Sequence, residues 1–271
     1  MKIPYYWINV DNSKYRRIFM EQQFKKLELE NKRISAITPE TLETVINDKS
    51  PYYCGNNFCK CNNCDDCKFE YSCSSSHLVA IREGYKSGEE YFIVCEDDIY
   101  IPFTIDFDKL IKNLPEDWEL FQMMVLDGEA NKLLYSNYKN NIEYMKYDKD
   151  LHFFSTGMYL INRKGAEKLL NMFIDTTTDK FELTTRTPIK QADFLLYINV
   201  NTYTSTFPFC FPNLKFVSEI HPTHIYYHIE AIKKISENLN NSEYKNRFIT
   251  KYHSFEEFDK FFINYIKNNN I

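Results

Sequence analysis

The sequence predicts an α/β fold, a mainly parallel sheet flanked by helices, and three observations predict it. Apolar runs of strand length alternate with helically spaced apolar residues through the first 100 positions. Those runs are nearly continuous in their apolar character, as in strands covered on both faces. The third run, at 91 to 95, leads straight into Glu96-Asp97-Asp98, and α/β sheets gather ligands beyond the carboxyl ends of their strands.

Each element has its own signal. YYWINV opens the chain as a buried strand, and a polar turn at 11 to 14 leads into a helix. Asn12 and Ser13 are its cap candidates, and Met20, Phe24 and Leu27 share one face. RISAIT at 33 to 38 reads as a second strand. A polar, cysteine-rich insert at about 47 to 72 follows. A second helix is expected to start near residues 74 to 77, to carry Leu78, Ile81 and Tyr85 on one face, and to stop at Gly88. YFIVC at 91 to 95 is the third strand. ELFQMMV at 119 to 125 and FSTGMYLIN at 154 to 162 read as further strands, the latter followed by the helix RKGAEKLLNMF. The Tyr-rich stretch 128 to 150 suggests a hairpin or flap, FLLYINV a helix behind Asp193, and about 228 to 271 a helical C-terminal segment.

The chain has 271 residues, 44% of them hydrophobic and 17% aromatic, which is ample for one large core and too apolar for disorder. A single domain over residues 1–271 is the expectation. The formal net charge of −5 argues against a general nucleic-acid binder, which needs a basic field to displace phosphate counterions, and leaves room only for a local basic site. Nothing approaches 18 consecutive apolar residues, so no membrane span is expected. The opening Met1-Lys2-Ile3-Pro4 runs directly into YYWINV without a leader pattern, and a cytoplasmic location is expected. Whether the chain forms a homo-oligomer is left open.

Six of the eight cysteines crowd into one region. Cys54, Cys59, Cys61, Cys64 and Cys67 are spaced Cys-x4-Cys-x-Cys-x2-Cys-x2-Cys, dense enough for a structural zinc site or for small disulfides. Zinc thiolates are favoured because no export signal is seen. Either would staple an insert too poor in apolar residues to fold alone.

Three adjacent carboxylates at the end of a buried strand repel one another and resist desolvation, so a positive visitor is expected. A divalent cation held by carboxylate oxygens, bridging to a phosphorylated ligand at nearby helix N-termini, satisfies both signs of charge.

Several blocks, in order, resemble glycosyltransferase family 25, which includes lipooligosaccharide and procollagen galactosyltransferases. They are INVDNSKYRR at 8 to 17, SCSSSHLVAIREGY at 72 to 85, FIVCEDDI at 92 to 99, STGMYLINRKGAEKLL at 155 to 170, and Asp193 in QADFLL. The resemblance implies a GT-A fold with a Rossmann-like sheet and a UDP-sugar donor. It also implies Mn2+ (or Mg2+) and transfer with inversion of a hexose, galactose first and glucose as the alternative. The acceptor would be a saccharide or a hydroxylysine-type glycoprotein.

By the same resemblance Asp98 is the direct metal ligand, Glu96 faces the ribose or the metal's outer shell, and Asp97 lies near the sugar. A late His ligand is expected from His221, His224 or His228, with His224 chosen. Asn9 is expected at the nucleotide, Arg16 at the diphosphate or the uracil edge, where its planar fork of donors matches anionic oxygens, or in a surface role in helix pairing, and Ser76 and His77 at the donor or acceptor, or as helix caps. Gly157 and Tyr159 are expected to line the sugar pocket, or to be an ordinary strand glycine and a core tyrosine. Asp193 is the expected base, a position that also suits a helix cap. The rival readings are a silent carbohydrate-binding or scaffold homologue and a metal-dependent phosphohydrolase.

Overall fold

The computed structural model describes residues 1–47, 65–151, 153–183, 191–216, 225–239 and 246–253. In chain order the elements are β1 (Tyr5–Asn9), α1 (Lys14–Leu27), β2 (Asn31–Ser35), α2 (Leu42–Val45), α3 (Asp65–Lys86), β3 (Tyr91–Glu96), β4 (Ile99–Tyr100), β5 (Phe103–Ile105), α4 (Phe107–Asn113) and β6 (Leu120–Gln122). Then come α5 (Gly128–Lys139), β7 (Tyr144–Lys146), β8 (Met158–Asn162), α6 (Arg163–Phe173), β9 (Ile174–Asp175), β10 (Lys180–Phe181), α7 (Ala192–Tyr197), β11 (Thr202–Ser205), β12 (Phe211–Pro212), α8 (Ile225–Leu239) and β13 (Ile249–Tyr252).

A seven-stranded sheet, ordered β2-β1-β3-β8-β6-β11-β7, forms the centre. β1 pairs in parallel with both β2 and β3, and β11 with β6, while β8 runs antiparallel to β3 and β6, and β7 to β11. Five of the seven strands therefore share a direction. Both faces are covered, which accounts for the continuous apolar runs. Trp7, Ile93, Phe121 and Leu160 pack on one side and Tyr6, Ile8, Val94 and Ile161 on the other, as the alternation of side chains along a strand requires. The helix RKGAEKLLNMF starts as expected, with Asn162 accepting from the Gly165 amide at 2.8 Å. Gly165 is needed there, since a Cβ would fall 2.5 Å from the Glu119 carbonyl oxygen.

Three expectations are corrected. The second helix begins at Asp65, not near 74 to 77, so Ser76 and His77 sit mid-helix and not at its start. The polar serines mislead: Ser74, Ser75 and Ser76 are buried, as is Tyr71 a turn earlier, and Ser76 donates to the Ser72 carbonyl one turn back at 2.7 Å. The stretch 128 to 150 is no hairpin. α5 is capped by Asp127, which accepts from the Ala130 amide at 2.8 Å, and it buries Ala130, Asn131 and Leu134. In the C-terminal segment α8 is helical as expected, but Ile249–Tyr252 is a strand paired with β5. Among the described residues no helix is long and apolar enough to cross a membrane.

Candidate active site

β3 delivers its last residue, Glu96, to the carboxyl edge of the sheet, and a two-residue turn at Asp97 and Asp98 leads into β4. The turn is held by the Asn213 amide, which donates to the Asp98 carbonyl at 2.6 Å. The three carboxylates then diverge in their partners.

Asp97 is enclosed by protein donors. Asn9, at the end of β1, gives its side-chain amide to Asp97 Oδ2 at 2.6 Å, and Arg16 Nη1 reaches Oδ1 at 2.9 Å. Asn9 is itself fixed by Arg33 Nε at 2.8 Å. Burial and the Glu96 charge push the Asp97 carboxyl up, and Arg16 and Asn9 hold it back. Arg16 also reaches Asp98 Oδ2 at 3.5 Å and lies over the Phe216 ring, 5.5 Å from its centre.

Glu96 faces inward. Its Oε1 accepts from Thr156 Oγ1 at 2.6 Å and lies 3.5 Å from His77 Nε2. The other ring nitrogen, Nδ1, is 3.2 Å from the Tyr159 hydroxyl. Burial alone would raise the Glu96 carboxyl, yet the bond and charge of His77 and the Thr156 hydroxyl outweigh it and hold it below the ordinary range.

Asp98 is the least compensated of the three. Burial first, then the charges of Glu96 and Asp97, push it up to about 8, with Arg16 opposing. Its oxygens are hard donors in surroundings short of positive charge, and both features suit a divalent cation. Among the described residues no group of three or more His, Cys, Asp or Glu side chains is gathered as a closed metal cluster. A cation at this edge would rest on Asp98, with Glu96 already engaged by Thr156 and His77, and would take its other ligands from elsewhere.

Two cavities meet here. The first, of about 300 Å³, opens beyond the ends of β1, β2 and β3 and is lined by Val10, Arg16, Ile37, Phe69, Ser72 and His77. The second, of about 190 Å³, is lined by Glu70, Met124, Ser155, Gly157, Asp193 and His228. Cys73, Glu96 and Asp98 line both. Asp193 stands in the first turn of α7, but its Oδ1 accepts from the Ser155 amide of a different loop at 3.0 Å. Burial pushes its carboxyl up to about 7. The Ser155 amide works against that rise, and the charges of Glu96 and Glu70 add to it.

The structure thus brings Arg16, Ser76, His77, Glu96, Asp97 and Asp98 to the first cavity and Gly157 and Asp193 to the second. Asn9, 1% exposed, acts on the edge through Asp97. Tyr159 is a core residue behind His77 and lines neither cavity. His224, and with it Cys54, Cys59, Cys61 and Cys64, lies outside the described residues, as does the side chain of Cys67. Sequence reasoning passed over Phe69, Ser72, Ser155 and Thr156. The small polar run Ser155-Thr156-Gly157 at the start of a strand was the available signal for the last two.

A family model, Glycosyltransferase family 25 (LPS biosynthesis protein), matches residues 2–182. The chain belongs to glycosyltransferase family 25. The match ends before Asp193. No curated protein matches the chain. Among solved structures it is similar to a mutant of the Drosophila beta-1,4-galactosyltransferase 7 in complex with manganese, UDP-Gal and xylobiose. The identity is 10% over 64% of this chain and 54% of that chain, with a TM-score of 0.29. It is also similar to the apo form of mouse xyloside xylosyltransferase 1, at 11% identity over 72% of this chain and 67% of that chain, with a TM-score of 0.31. The chain spans about half the length of the galactosyltransferase, and likeness this slight assigns neither residues nor ligands. As a member of the family the chain is a glycosyltransferase.

Proposed function

We propose that this glycosyltransferase moves a hexose, galactose first and glucose as the alternative, from a UDP-sugar to a hydroxyl of a saccharide or hydroxylysine-type acceptor, with inversion. The observation that carries this reading is the pair of adjoining cavities sharing Glu96 and Asp98, with Asp193 lining the second. A nucleotide in the first would present its diphosphate to Arg16 and Asp98 and its sugar toward the second.

A divalent cation, Mn2+ or Mg2+, would be held by Asp98, with Glu96 behind it, and would supply charge stabilisation for the departing diphosphate. The chain's own groups do the rest. Arg16, already paired with Asp97 and Asp98, brings a planar guanidinium whose fork matches phosphate oxygens. Asp193 takes the proton of the acceptor hydroxyl as its oxygen bonds the anomeric carbon. The bond from that carbon to the phosphate oxygen breaks, and UDP leaves with the electron pair. A carboxyl held near 7 is a stronger base than an ordinary aspartate while still ionised in half or more of molecules above that pH.

The test is a panel of UDP-sugars with manganese, scoring released UDP with and without saccharide acceptors. Sugar appearing on acceptor only with one UDP-hexose supports the reading. Diphosphate cleavage without UDP release would make the protein a phosphohydrolase, and no turnover with any donor would leave it a silent homologue.

A further inference from the structure

Ser155 is a non-glycine residue with φ of 134°, a conformation side-chain-bearing residues rarely hold unless their surroundings fix it. Its surroundings do so from three sides. Its carbonyl accepts from the Tyr197 hydroxyl at 2.6 Å and from Gln122 Nε2 at 3.1 Å, and its own hydroxyl accepts from the Gly157 amide at 3.0 Å. Gln122 also donates to the Phe153 carbonyl at 2.8 Å, and its amide is oriented by Thr204, whose hydroxyl donates to Gln122 Oε1 at 2.8 Å. Gln122, Thr204 and Tyr197 are at most 1% exposed. Neither Gln122 nor Tyr197 lines either of the two cavities. The turn they enforce aims one group outward: the Ser155 amide, at Asp193.

We infer that Gln122 and Tyr197 are positioning residues that hold the Ser155 amide against Asp193 and so fix where the base stands and when it is ionised. The inference rests on the proposed role of Asp193. A bond from a backbone amide stabilises the carboxylate form, so it opposes burial and the neighbouring negative charges. The titratable groups that face Asp193 are Glu70 and Cys73 on α3, Glu96 and Asp98 at the end of β3, His228 on α8, Tyr147 after β7 and Tyr197 on its own helix. The Ser155 amide donates to the carboxylate directly and opposes the charges of Glu96 and Glu70.

Tyr197→Phe keeps the ring, which packs edge-on against Tyr147 and Tyr159, and deletes only the hydroxyl. Freed of that bond, the turn should let the amide drift from Asp193. The expected result is a fall in kcat for transfer of roughly tenfold, donor KM within about twofold of wild type, and the acid limb of the pH profile moved upward by about half a unit. Thr204→Val, which frees the Gln122 amide to turn, should shift the limb the same way by less, and it carries the test if Tyr197→Phe fails to fold. Asp193→Asn is the reference variant. If it transfers normally, the base assignment itself is wrong. If it abolishes transfer while the two variants keep the wild-type limb, the positioning inference is overturned, even where they lower kcat or the melting temperature.

Discussion

The two cavities differ in how their carboxylates are held. In the first, Asp97 and Glu96 are fastened by protein donors: Asn9 and Arg16 on one, Thr156 and His77 on the other. At the junction and in the second, Asp98 and Asp193 have lost water without gaining comparable compensation, and both titrate far above an ordinary aspartate. A saturated carboxylate builds the edge, whereas an undercompensated one is available to a cation or a proton. Under the proposed mechanism Asp97, whose carboxyl is also raised, has a structural part and Asp98 and Asp193 the chemical ones, although the first two are adjacent in sequence.

The strongest way to break that division is Asp98→Asn. Donor hydrolysis and transfer should fall together by a factor of about 10³, roughly 4 kcal/mol, measured by UDP release with manganese. Circular dichroism should show the fold unchanged. Normal turnover with normal manganese dependence would remove Asp98 from the mechanism.

Asp193→Asn separates the second cavity from the first. Transfer should drop by about 10² or more while calorimetry finds UDP-sugar affinity near wild type. Collapse of donor binding as well would make Asp193 a donor ligand or a structural residue.

Asp97→Ala addresses the saturated side. It strands Arg16 and Asn9 without their buried acceptor, so unfolding in urea should report a loss of about 2 to 3 kcal/mol. A variant as stable as wild type would dissolve the contrast with Asp98.

The smallest expected effects are in pH dependence. With a base titrating at about 7, transfer should climb with pH up to that point and level off above it. Stability runs the other way for a raised carboxyl. The native state binds the proton more tightly than the unfolded chain, so wild type loses stability as pH rises from about 4 through the folded value. Asp98→Asn removes that loss, and its melting temperature should exceed wild type by more at pH 8.5 than at pH 4.5. An equal difference at both would mean that Asp98 is not raised.

Local pattern determined a great deal. The apolar runs of β1 and β3, the capped helix at Arg163–Phe173 and the placement of Glu-Asp-Asp at a strand end follow from side-chain size, periodicity and charge within a few residues. Tertiary structure decided the rest. Asn9 and Asp97 are 88 positions apart, and only the pairing of β1 with β3 makes them neighbours. β8 runs against its neighbours although its sequence reads like any buried strand, because strand direction is set by pairing and not by period. Serines that look like a helix start are mid-helix in α3, and a Tyr-rich stretch is helical in α5 because Ala130 and Leu134 are buried there. The same cause separates Asp97 from Asp98: two identical side chains acquire different chemistry from the donors and the burial that distant residues supply.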